Sequence, residues 1–78
     1  MKLRVWWITN PPSKAKYYEV NNVKQAIEII HTLGQKEVND PTVVSNAAGL
    51  QIFEDGEWTE YYDGEGRDIN EIMDEEVE

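Results

Sequence analysis

The 78-residue chain has no cysteine, one histidine, three prolines and, beyond residue 36, a single basic residue. Each shortage removes a class of protein. Without cysteine there is neither a disulfide framework nor a thiolate metal site, and nothing calls for an oxidising compartment, so the expected location is the cytoplasm. No apolar run approaches the roughly 18 residues of a membrane span, and the first residues lack the apolar core of a signal peptide. A soluble, unprocessed chain without a membrane span is expected. His31 falls near the end of an expected helix, where a solvent-facing or capping role accounts for it, and Ser13 and Ser45 belong to no nucleophile motif. No catalytic residue, metal ligand or cofactor is assigned on these grounds, and the expectation is a non-enzyme. A formal net charge of −9 also argues against direct nucleic-acid binding, because a phosphate backbone is neutralised by Lys and Arg.

The charge that is present lies unevenly. Residues 1–36 hold six basic side chains (Lys2, Arg4, Lys14, Lys16, Lys24, Lys36) against Glu19 and Glu28, whereas residues 37–78 hold Arg67 against fourteen acids. Such polarity favours head-to-tail self-association or a binding surface of two signs. A chain this short buries only about 60% of its unfolded surface. Pairing with further copies adds stability, so a homo-oligomer is expected.

Patterning over residues 1–78 gives one α+β domain. Lys2 to Ile8 reads as a strand stopped by Pro11-Pro12, and Ala15 to Val20 as a second strand returning beside it. Asn22 is an N-cap with Gln25 in capping-box spacing, and Val23, Ala26, Ile27, Ile30 and Leu33 form the apolar stripe of a helix that Gly34 is expected to terminate. Thr42-Val43-Val44 reads as a short extended piece, and Asn46-Ala47-Ala48-Gly49 as a small-residue turn or a point of close approach. Asp55-Gly56 between two strand-like runs marks a two-residue type I′ hairpin, which sets Glu54 opposite Glu57 and Phe53 opposite Trp58. Ile69, Ile72 and Met73 form a helical turn or two within an acidic tail, expected to fray over about 70–78. The sum is a small antiparallel sheet of about four strands in two hairpins, packed on one α-helix, with a short acidic C-terminal helix or tail.

Strand alternation then raises a question about Trp6 and Trp7, which point to opposite faces. One helix covers one face of a small sheet, and the apolar sets Leu3/Val5/Trp7 and Leu50/Ile52/Tyr61 are the economical choice for it. Arg4, Trp6, Phe53, Trp58 and Glu60 are left on the far side. An aromatic set with convergent polar groups suits a planar ligand or a subunit interface. On the ligand reading Trp6 and Trp58 stack on a base, Arg4 and Arg67 neutralise phosphate, and Asn46 and Glu60 add polar contacts. Phe53 and Tyr62 are assigned to an interface or a second layer of core. The run from Asp63 to Asp68 looks like a calcium loop but fails it, with Asp68 where glycine is needed at the sixth position and Asp74 where glutamate is needed at the twelfth.

"KLRVWWI" at 2–8, "NAAGL" at 46–50 and "FEDGEWTEYYDGEGRDI" at 53–69, taken together, resemble a family of small phage-encoded superinfection exclusion proteins. Their members are similar in opening with K-L-R-V-W-W-I, passing through a helix, and carrying N-A-G-G-L before a F-E-D-G-E-W hairpin and an acidic end. The chain departs from that pattern at Ala48, where the family has glycine, and at Tyr61, where it has tryptophan. The resemblance implies a phage or prophage product in the bacterial host cytosol that acts by occupancy, with no catalytic residues to carry over. Two readings stand side by side. In one, a counter-defence protein sequesters a small planar anionic ligand, such as a nucleotide-derived signal. In the other, an acidic mimic of nucleic acid blocks a host nuclease or DNA-binding protein.

Overall fold

A computed structural model describes residues 2–76, and of Glu76 the backbone only. β1 (Lys2–Thr9) and β2 (Lys16–Val20) form one hairpin, α1 spans Val23–Val38, β3 (Asn46–Glu54) and β4 (Glu57–Glu60) form a second hairpin, and α2 covers Ile69–Glu76. The sheet runs β2-β1-β3-β4 with every neighbour antiparallel, so the expected α+β architecture with two hairpins is the observed one.

Alternation along β1 turns Leu3, Val5 and Trp7 to one face, where Leu50 of β3 and Val20 of β2 join them. α1 lays Ala26, Ile27 and Ile30 against this face, with Val23 and Leu33 packed at its margin. Each such apolar side chain removed from water contributes about 1.5–3 kcal/mol. Trp7 is as buried as its neighbours, and its indole N–H donates to a Glu37 carboxylate oxygen at 3.0 Å. That bond matters because a buried N–H without a partner forfeits its hydration.

Glu37 also explains why α1 outruns its expected end. The helix continues through Gly34 to Val38, because in its last turn Glu37 accepts from Thr9, Trp7 and Asn46 at once. The Thr9 hydroxyl is the largest of several causes that hold the Glu37 carboxyl below its usual range, Trp7, Asn46 and Lys16 adding to it against partial desolvation. These tertiary bonds outweigh the roughly 1 kcal/mol that a glycine costs inside a helix. The N-terminus follows the sequence: Asn22 accepts from the Gln25 N–H at 2.8 Å, while Gln25 reaches back to the Asn21 N–H.

Three further expectations are corrected. Thr42 to Val44 is turn and irregular chain rather than a strand, held by Asn10, whose carboxamide accepts from the Val44 and Ser45 N–H groups and donates to the Thr42 carbonyl. Of the two readings of Asn46 to Gly49 the turn is corrected, since the segment is the first half of β3 paired with Trp6 to Thr9, while the close approach holds at Gly49, which lies against the Trp6 ring. Of the two forms expected for the C-terminus, the short acidic helix is the observed one, and the fraying expected over about 70–78 is corrected through residue 76: α2 is capped reciprocally by Asp68 and Glu71 and puts Ile69 and Ile72 in the core, and residues 77 and 78 lie outside the described residues. The β3–β4 turn matches its sequence signature, both Asp55 and Gly56 having positive φ, 52° and 83°.

Among the described residues, no helix is long and apolar enough to cross a membrane.

Candidate functional site

Both helices pack on the Trp7 side of the sheet, and among the described residues the other side has no covering layer. Register decides what stands on it. Arg4 pairs with Glu19 and Gln51, Trp6 with Tyr17 and Gly49, and Gln51 with Glu60, so these residues share the uncovered face with Phe53 and Trp58.

Arg4 is the centre of this face. Its guanidinium lies 3.9 Å from the centroid of the Tyr17 ring and 4.2 Å from that of Trp58. Its Nε donates to the Gln51 side-chain oxygen at 2.8 Å. Two aromatic contacts and one hydrogen bond hold the group, and among the described residues its two terminal nitrogens have no hydrogen-bond partner. Among the described residues Arg4 forms no ion pair, although Glu19 is its cross-strand neighbour. Phe53 packs edge-on against Trp58 at 5.3 Å, and the Lys2 ammonium sits 5.9 Å above the Phe53 ring.

Trp6 occupies the next position along β1. A Cβ built on Gly49 would fall 2.2 Å from the Trp6 Nε1, so the indole lies against bare backbone. The same ring reaches toward Glu60, whose carboxyl is pushed up by burial and by the charge of Asp68, with the Trp6 N–H acting in the opposite sense. β4 stops at Glu60, and past that point Asn70 of α2 donates to the Ala48 carbonyl at 3.1 Å in place of a fourth strand. A cleft of about 690 Å³ opens there, between α1, the start of α2 and the first half of β3.

No family model, curated protein or solved structure matches the chain.

Of the residues expected in the site, Arg4, Trp6, Trp58 and Glu60 are brought onto one face, and Trp6, Asn46 and Glu60 line one cleft. Trp58 spends a ring face on Arg4, which leaves Trp6 as the ring better placed for a planar ligand. Arg67 is drawn away altogether. It bridges Asp63 at 2.7 Å, Glu65 at 3.2 Å and Glu75 at 2.7 Å, an ion-pair knot that ties the loop after β4 to α2. Glu75 and Asp63 raise the Arg67 pKa further, and the Arg67 backbone and side chain hold Asp63 below its usual range. With Asp63 and Glu65 committed to Arg67, the loop that resembles a calcium site is a cage for an arginine. Among the described residues no three His, Cys, Asp or Glu side chains gather as a metal site. Phe53 and Tyr62 are exposed, with no second layer over them among the described residues.

Tyr17 and Gln51 are the contributors that sequence reasoning passed over as site residues. Gln51 was legible from the hairpin register, which sets it on the face of Trp58. Tyr17 becomes legible only once the Pro11-Pro12 turn fixes which β2 residue meets Trp6, and the length of that turn is not written in strand alternation.

Proposed function

We propose that the protein acts by binding, as a phage or prophage accessory protein of the superinfection-exclusion kind, and that it sequesters a small planar anionic ligand such as a nucleotide-derived signal in the bacterial cytosol. The observation that carries this reading is the Arg4 guanidinium, over the rings of both Tyr17 and Trp58, anchored through Nε on Gln51 and free of ion pairs among the described residues. A guanidinium held by two rings and through Nε keeps its two terminal nitrogens, the part that grips phosphate or carboxylate in a bidentate manner. Trp6, one step along the same face, offers the ring. Self-association would bring several such faces together and cover Phe53 and Tyr62, in keeping with the small size of the chain.

The test is titration with mono-, di- and cyclic nucleotides, alongside native mass spectrometry of protein purified from a bacterial host. Wild type is expected to retain or bind a nucleotide-sized anion. Arg4→Lys, which keeps the charge but loses the fork and the stack, should weaken binding by about 1.5–3 kcal/mol, some ten- to a hundredfold. Unchanged affinity in Arg4→Lys and Arg4→Ala would sink the reading.

The second reading, an acidic mimic that blocks a host nuclease or DNA-binding protein, is favoured by one feature. Glu54, Asp55 and Glu57 stand exposed together at the β3–β4 turn. On that reading, capture of a basic host protein weakens steeply with salt and is lost on neutralising these acids, while Arg4→Lys changes nothing.

A further inference from the structure

Gly34 sits inside α1, where glycine lowers helix stability, and the fold gives it no reason to be there: a Cβ at this position meets no atom within 4 Å. Its φ is not positive, and among the described residues no strand or side chain approaches it closely enough to exclude a methyl group. What Gly34 does is line the wall of the cleft between α1, α2 and β3, and of a second, smaller hollow beyond it toward Val43 and Val44. A methyl group at residue 34 would stand in that space.

The cleft carries two carboxylates, Glu60 and Asp68, with His31 and Gln35 on its α1 wall, and among the described residues no lysine or arginine lines it. Glu60 and Asp68 both line it, and the charge of Asp68 adds to the burial that raises the Glu60 carboxyl. Asp68 uses one oxygen on the Glu71 N–H and has the second without a partner among the described residues. The two asparagines turn their nitrogens to the protein, Asn46 to Glu37 and Asn70 to the Ala48 carbonyl, which leaves their carbonyl oxygens uncommitted. The Trp6 indole stands beside Glu60. The cleft is therefore rich in acceptors, carries two carboxylates that repel each other, and has an aromatic ring at one side.

We propose that this cleft binds a small organic cation, an alkylammonium or diamine, whose N–H groups are taken up by Glu60, Asp68 and the asparagine oxygens while its carbon chain lies along Trp6 and the bare wall at Gly34. The ligand relieves the repulsion between the carboxylates, and the net charge of −9 draws a cation in. The site shares Trp6 with the anion reading but makes no use of Arg4, so Arg4→Lys, which should weaken a nucleotide, should leave the diamine unaffected, and the two readings fail separately.

The experiment is titration of the full chain with 1,4-diaminobutane at constant ionic strength, read by calorimetry and by the NMR shift of the Trp6 indole N–H. Wild type should bind saturably with the Trp6 signal moving. Gly34→Ala should raise Tm by about 4–8 °C, as a helix glycine replaced by alanine does in a domain this size, and yet weaken the diamine about tenfold or more. Glu60→Gln should weaken it similarly with the fold intact. The inference is overturned if Gly34→Ala binds as tightly as wild type. It is overturned equally if Trp6 is silent, or if shifts grow without saturation across the acidic β3–β4 turn, the pattern of diffuse ion-atmosphere attraction.

Discussion

At the residue scale the two adjacent tryptophans have separate physical accounts. Trp7 is core, with its one polar atom settled on Glu37, whereas Trp6 rests on the only sheet position that has no side chain to push it away. Gly49→Ala puts a methyl group where the Trp6 ring lies, so the ring must swing out. Overpacking of this kind costs about 1–3 kcal/mol, and we expect a red-shifted tryptophan emission together with a lower denaturation midpoint. Glu60 tests the neighbouring electrostatics. Its folded carboxyl titrates above its ordinary value because burial, and then Asp68, disfavour the charge. The ionised form therefore penalises the fold above that raised pKa, and the penalty vanishes below the unfolded value. Glu60→Gln should be more stable than wild type at neutral pH, and the gain should fade through the window between the raised and the ordinary carboxyl pKa, as urea midpoints across pH would record.

At the scale of elements, the hairpins were written in the sequence and the helix ends were not. Asp55-Gly56 fixes φ > 0 at two successive residues, a local demand that no distant contact has to confirm, and every β3–β4 pair follows from it. Gly34 is local in the same way, but here a distant contact wins: the bonds from Thr9, Trp7 and Asn46 to Glu37 carry α1 one turn further than its own sequence asks. α2 was legible as three apolar residues in an acidic run, not as a full helix, because its cap and its anchor lie in the loop before it. Arg67 is that anchor, and the site role expected of it fails to attract support from its three carboxylate partners. Asp63 has a depressed pKa, so its contribution is present above the ordinary carboxylate range and is lost as pH falls through the folded value. Asp63→Asn should loosen α2 most at neutral pH, with amide exchange at Ile69 to Met73 quickened, and the difference from wild type should narrow in acid.

For the whole molecule, the sheet separates two chemistries. One side is a core closed by both helices, and the other presents Arg4, Tyr17, Trp6, Phe53 and Trp58 without a covering layer among the described residues. Fourteen acids against one arginine in residues 37–78 repel each other, and screening relieves that repulsion. Thermal stability should therefore rise between low and physiological salt, by calorimetry at fixed pH. A fall would mean that favourable pairs such as those of Arg67 outweigh the net repulsion.

The strand order has a consequence in time as well as in space. β1 lies between β2 and β3, and its pairing with β3 joins Lys2 to Phe53 and Thr9 to Asn46. During synthesis β1 can find β2 within a few residues, but its other edge stays open until some thirty-seven to fifty-one further positions have been added. Loop closure over that span is slow compared with hairpin formation, and an unpaired edge carrying two tryptophans is adhesive while it waits. The nascent hairpin is thus the most vulnerable state of this chain, and α1, the element made in the interval, is the one available to shield its apolar side first.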